Sequence, residues 1–275
     1  MKLKLRWPAI FAGLLATLVS LMVVFAVADM GIDWNTWEPA TSMMPDGGFN
    51  FNELVDPDAS IRQPWNTFSS LYYVFVGVFL IFLPYGAKKP GLSITSSKML
   101  RCLYGISIVV TGLGSAFMHM SCTFLGQIFD VVGMYLVSVF IVMYALRSLP
   151  KFSVKRFAPL YIVINAALLY ALIYAPNLRR NLFLALILIG LVLEYACNRK
   201  QEGFNFELLL AAASSLAFAY IVWQLDNHRG MYFDQVGWFQ GHHFWHLFGA
   251  LACGVLYAHY SRNDRIENAC PTPSD

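Results

Sequence analysis

Eight apolar stretches run along this 275-residue chain, each long enough to cross a lipid bilayer, and they leave it little choice of fold. They lie near residues 8–28, 65–84, 99–120, 123–146, 158–175, 181–197, 205–224 and 241–260. Roughly 20 residues of helix match the hydrocarbon thickness. Backbone amides in hydrocarbon find no water, so such segments satisfy their hydrogen bonds internally as helices rather than as open strands. Only 13% of residues are charged and 58% are hydrophobic, against about 25% charged in a soluble domain. The expectation is an all-α polytopic membrane protein. Seven transmembrane helices over residues 65–260 form a bundle, preceded by one extra N-terminal apolar segment.

The net charge of +3 matters less than where the charges lie. With the basic amino end inside and eight crossings, fifteen Lys and Arg fall on the inner side and four (Arg62, Arg179, Arg180 and Arg229) on the outer side. That asymmetry is the one the positive-inside rule describes for short loops. The basic loops are therefore topology signals, and no nucleic-acid partner is expected. The carboxyl end is expected in the cytoplasm and the outer ends of the helices on the extracytoplasmic side.

Four regions follow. Residues 1–28 are a signal-anchor or an extra transmembrane helix; the run ends in Ala26-Val27-Ala28, which also resembles a secretory cleavage site. Residues 29–64 form an acidic, turn-rich extracytoplasmic loop with Asp29, Asp33, Glu38, Asp46, Glu53, Asp56 and Asp58. Such a loop is either a solvated face or a site for a hard divalent cation. Residues 65–260 are the helical domain and 261–275 a cytoplasmic tail. Leu149-Pro150 and Pro159 are expected to bracket the loop before the segment at 158–175. The five cysteines (Cys102, Cys122, Cys197, Cys253 and Cys270) form no CxxC pair, so no disulfide framework is expected. Cys122, three residues after His119, is a minor candidate ligand.

Polar residues in hydrocarbon are expensive and mark functional sites. The alternating topology brings five of them to similar depth near the outer surface: Ser115 and His119 on one segment, Asp130 on the next, and His242 and His246 on the last. Residues four apart share a helix face, so Ser115 lies one turn below His119 and His246 one turn below His242. Asp130 lies roughly 10 Å below its segment's outer end at about 1.5 Å per residue. Three imidazoles leave one tetrahedral zinc position open for water, the catalytic arrangement rather than the structural one. His243 points about 100° away from His242 and is not expected to be a ligand. His228 and His259 are expected in a loop and at the inner membrane interface. A bis-histidine haem also bridges facing helices, but it has no use for Asp130 or Ser115.

These residues stand in recognisable motifs. Gly112-Leu113-Gly114-Ser115-Ala116-Phe117-Met118-His119-Met120 is followed by Gln127-Ile128-Phe129-Asp130. Further on come Trp223-Gln224-Leu225-Asp226-Asn227 and Gly241-His242-His243-Phe244-Trp245-His246; Pro64-Trp65-Asn66-Thr67 opens the helical domain. In order and spacing the set resembles the alkaline ceramidase family, part of a seven-helix hydrolase superfamily that includes the adiponectin receptors. The resemblance implies zinc (Zn2+) held by His119, His242 and His246, with Ser115 and Asp130 completing the catalytic group. It implies cleavage of the N-acyl amide of ceramide-like lipids to a sphingoid base and a fatty acid. Family members can also carry a calcium (Ca2+) site. Here Asp33-Trp34 and Glu38 remain, but Gln63 stands where the family has a glutamate, and the spacing is longer.

In such a mechanism Asp130 orients or deprotonates the attacking water and passes the proton to the leaving amine, and Ser115 donates to the developing oxyanion. Asp226 is a candidate to fix a histidine tautomer from behind. The expected partners are the ceramide-like substrate and the surrounding membrane lipids. Two alternatives stay open: a lipid esterase of the same superfamily and a non-catalytic seven-helix receptor.

Overall fold

A computed structural model describes residues 6–41, 52–83, 92–149, 152–201, 203–226, 232–233 and 236–266. The Pro45–Gly48 turn, Asp46, the Pro84–Gly91 loop, Pro150, Asn227, His228, Arg229 and Cys270 lie outside the described residues. The chain forms α1 (Trp7–Asp29), α2 (Pro64–Ser69), α3 (Leu71–Ile81), α4 (Lys98–Ser121), α5 (Phe124–Ala145), α6 (Val154–Tyr174), α7 (Arg179–Asn198), α8 (Phe206–Asp226) and α9 (Gly241–Ile266). α2 and α3 are one span interrupted at Ser70, which keeps helical dihedrals. Among the described residues seven helical spans, α1 among them, are long and apolar enough to cross a membrane. α9 is long enough, but its composition is more polar: it carries three histidines near one end and Arg262, Asp264 and Arg265 near the other. The protein is a multi-pass helical membrane protein.

Two boundaries differ from expectation. α6 begins at Val154, so Pro159 lies inside it rather than bracketing a loop. A proline in the second turn removes a single hydrogen bond, to the carbonyl four residues back, and the helix absorbs that loss near its start. α9 continues to Ile266, past the point where the polar tail was expected.

Capping residues set the connections that matter for the site. Ser97 starts α4 by accepting the Leu100 N–H at 3.3 Å. Cys122 ends it in the left-handed region, φ 55°, with its N–H on the Met118 carbonyl at 2.7 Å. Thr123 at once starts α5, accepting the Gly126 N–H at 3.1 Å. Only Cys122 and Thr123 separate the two helices, so the last turn of α4 is held beside the first turns of α5. The same pair crosses closely: a Cβ on Gly114 would collide with the backbone of Phe129, and one on Gly133 with the backbone of Thr111.

α4 packs on α5 and α3, α8 on α9, α5 on α7 and α6, and α9 returns to α3. α1 lies on α3 through Ala9 and Gly13. Its other end packs Val24, Val27 and Ala28 against Trp34, Phe68 and Met120. The ends of α1 and α4 therefore meet the starts of α2, α5 and α9 at one end of the bundle.

The opposite end is tied by a buried charge network. Arg147 donates two hydrogen bonds to Glu194, at 2.5 and 2.7 Å. Asn198 Nδ2 donates to Glu194 at 3.2 Å and to the Ala145 carbonyl at 2.9 Å. His259 places Nε2 3.0 Å from Glu194 Oε1 and Nδ1 2.9 Å from the Asn205 carbonyl. His259 is thus fully buried within the bundle at that end, where Glu194 on α7 supplies an anion that hydropathy alone cannot locate.

Candidate metal centre

His119 is in the last turn of α4, and His242 and His246 are in the first two turns of α9. All three are buried, and one ring nitrogen of each lies within 4.8 Å of the others. His119 Nε2 and His242 Nε2 are 3.0 Å apart. Two imidazole nitrogens aimed at each other need a proton or a cation between them. Tetrahedral zinc with bonds near 2.0–2.1 Å sets its ligands about 3.3 Å apart, so the spacing fits a single ion.

The outward-facing ring nitrogens support the same conclusion. His119 Nδ1 lies 2.7 Å from Gln63 Oε1. Gln63 gives its own amide N–H to the Glu53 carbonyl at 2.8 Å, which leaves Oε1 as the acceptor and Nδ1 as the donor. His246 Nδ1 lies 2.8 Å from Ser69 Oγ, and Ser69 donates its proton to the Asn66 carbonyl at 3.2 Å. Both histidines then carry the proton on Nδ1 and turn the Nε2 lone pair inward, the tautomer a metal requires. Sequence reasoning did not assign these roles to Gln63 and Ser69. Their only sequence signal is position, two residues before and four residues after Trp65.

Ser115 Oγ is 3.1 Å from His246 Nε2, and Asp130 lines the same two cavities beside it. The close α4–α5 crossing at Gly114 brings Ser115 and Asp130 together. The five residues singled out from their depth thus converge. Asp226 stands behind them, accepting the Gly241 N–H at 2.8 Å and the Asn52 N–H at 3.1 Å. These are backbone donors: Asp226 anchors the start of α9 and the loop at Asn52. His243 turns away, its Nε2 3.1 Å from the Tyr72 hydroxyl. Cys122 points its sulfur at the His119 carbonyl at 3.6 Å, and burial pushes its thiol far above the ordinary range. Asp33 accepts the Asn35 N–H at 2.9 Å, and Glu38 receives the Phe124 N–H on its backbone carbonyl at 2.7 Å.

Glu53 is buried at the start of α2, where its carboxylate accepts the N–H groups of Trp65 and Asn66, each at 2.8 Å. Burial pushes this carboxyl up to about 7, against the two backbone N–H bonds that lower it; the neighbouring Asp226 adds to the rise.

Two cavities meet at the site. One is almost wholly apolar and runs down between α5, α7, α8 and α9 past Met134, Ile141, Ile187, Leu216 and Leu256. The other has a larger polar share in its lining, which includes Gln127, Arg179, Arg180, Trp223 and His242. Ser115, Asp130, Met134, Trp245 and His246 line both.

The profile of the Ceramidase family matches residues 59–269. Alkaline ceramidase 1 of Mus musculus is 22% identical over 269 residues, covering 92% of this chain and 89% of its own length.

Proposed function

The chain belongs to the ceramidase family, and from that membership we propose that it is a zinc-dependent intramembrane amidohydrolase, cleaving the N-acyl amide of ceramide-like lipids to a sphingoid base and a fatty acid. The observation that carries this reading is the convergence of three buried imidazoles with Ser115 and Asp130 at the head of an apolar cavity. His119, His242 and His246 would hold the ion. Zinc there would supply Lewis acidity, polarising the amide carbonyl and making water nucleophilic near neutral pH.

The remaining chemistry belongs to side chains. Asp130 takes the proton of the attacking water and returns it to the leaving nitrogen, which would otherwise depart as an unstable amide anion. Ser115 donates to the oxygen that gains charge as the carbonyl carbon becomes tetrahedral. Gln63 and Ser69 hold two of the imidazoles in the required tautomer. The apolar cavity takes the acyl chain and excludes water from it.

Metal analysis of the purified protein together with a ceramide hydrolysis assay tests the proposal. Asp130→Asn and Ser115→Ala should keep their metal. The first should lose at least about 100-fold in kcat, the lower end for general acid–base catalysis. Hydrolysis of a matched ester lipid but not of ceramide would move the protein to the esterase reading. Zinc-replete protein that turns over neither lipid would favour the receptor.

A further inference from the structure

The two cavities differ in chemistry, and the difference has a cause in the sequence. α7 begins with Arg179-Arg180, and both guanidinium groups line the more polar chamber. Each is held from behind. Arg179 donates to the Pro176 carbonyl at 2.8 Å, and Arg180 lies over the Trp223 ring, 5.0 Å from its centroid. A guanidinium carries five N–H donors, so most of each fork remains for the chamber. Among the described residues no carboxylate lies within ion-pair distance of either one; the pairs present are those of Glu194 with Arg147 and His259.

Two adjacent, half-buried cations repel each other and are costly beside a low-dielectric interior. They are also out of keeping with their end of the bundle. By the sequence topology four of the nineteen Lys and Arg residues fall on the outer side, and two of those four line this chamber. Paired, planar donors are suited to bidentate recognition of oxyanions.

The scissile amide divides its lipid at the shared residues Ser115, Asp130 and His246. The alkyl arm of the acid side matches the apolar cavity in chemistry, which leaves the more polar chamber to the head-group end of the amine side. We propose that Arg179 and Arg180 form an anion subsite for that head group, so that the chain hydrolyses N-acyl amino-alcohol lipids carrying an oxyanion, such as a phosphate monoester on the primary hydroxyl, in preference to neutral ones. This inference rests on the amidohydrolase reading above and specifies its substrate class.

The test compares ceramide with ceramide phosphorylated on its primary hydroxyl, using the metal-loaded protein in neutral detergent. Wild type should favour the phosphorylated lipid by at least about 10-fold in kcat/KM, since one charge-assisted hydrogen bond is worth about 1.5–3 kcal/mol. Arg179→Gln/Arg180→Gln should abolish that preference, bringing the ratio of the two kcat/KM values to about one at unchanged folding and metal content. Arg179→Lys/Arg180→Lys should restore part of the preference. A wild type without preference, or a Gln variant that loses both substrates equally at unchanged folding and metal content, overturns the proposal. If wild type cleaves no amide lipid, the amidohydrolase reading fails instead, and the subsite is judged by binding of the two lipids to the wild type and the Gln variant. Equal binding of phosphorylated lipid by both proteins then overturns it, and tighter binding by wild type sustains it.

Discussion

Gln63 Oε1 lies 2.7 Å from His119 Nδ1, and the same amide donates to the Glu53 backbone at 2.8 Å, so the side chain cannot turn round without breaking both bonds. Partners of this kind behind a ligand typically control metal affinity by about 10–100-fold. Gln63→Leu and Ser69→Ala are therefore expected to weaken zinc binding by that order, read by chelator competition. Replacing His119, His242 or His246 with Ala should remove the metal and the activity together. His243→Ala should leave metal content unchanged. Full zinc occupancy in His242→Ala/His246→Ala would refute the assignment.

The Glu53 carboxyl predicts a pH dependence. Its folded value of about 7 stands above the ordinary 4.5, so between those values the folded chain holds a proton that the unfolded chain has released. Stability then falls as pH rises from about 4.5 to about 7 and levels off above, with a slope of at most about 1.4 kcal/mol per pH unit for one proton. Thermal unfolding in detergent across this range should show the decline in wild type. Glu53→Gln should lack it. An identical profile in the two proteins would show that Glu53 is not its source.

The charge asymmetry of fifteen to four predicts the orientation in the membrane. The metal site should face the extracytoplasmic side and the residues after α9 the cytoplasm. A carboxyl-terminal tag should be protected from protease in intact cells and exposed after permeabilisation. Protease access from outside would reverse the assignment.

At the far end of the bundle, Glu194 is the sole carboxylate among the described residues bonded to both Arg147 and His259. Removing one partner of a buried charge network commonly costs about 3–5 kcal/mol. Glu194→Ala should lower the unfolding temperature markedly while leaving metal content per folded molecule unchanged. Glu194→Met/Arg147→Met should be less harmful than Glu194→Ala, because no uncompensated cation is left behind. A single variant as stable as wild type would show the network to be dispensable.

What the sequence determined by itself was the set of helices and the common level of the candidate site residues. Apolar length specifies spans because the bilayer removes every alternative for the backbone. Alternation of direction then brings Ser115, His119, Asp130, His242 and His246 to one level without any knowledge of side-chain contacts. Spacing four residues apart told which histidine of the pair His242–His243 joins His246. Pattern could not tell which helices are neighbours, since lipid-facing and protein-facing surfaces are both apolar here. The roles of Gln63 and Ser69, the pairing of Glu194 with Arg147 and His259, and the chamber beside Arg179 and Arg180 all depend on contacts between residues far apart in sequence. In His119 and His246 a local rule set the level of the rings, and contacts with Gln63 and Ser69 set the tautomer. Only the tertiary structure could decide the latter, because a hydrogen bond across two helices requires their relative rotation and height, which close approach at glycines such as Gly114 and the two-residue link at Cys122-Thr123 impose.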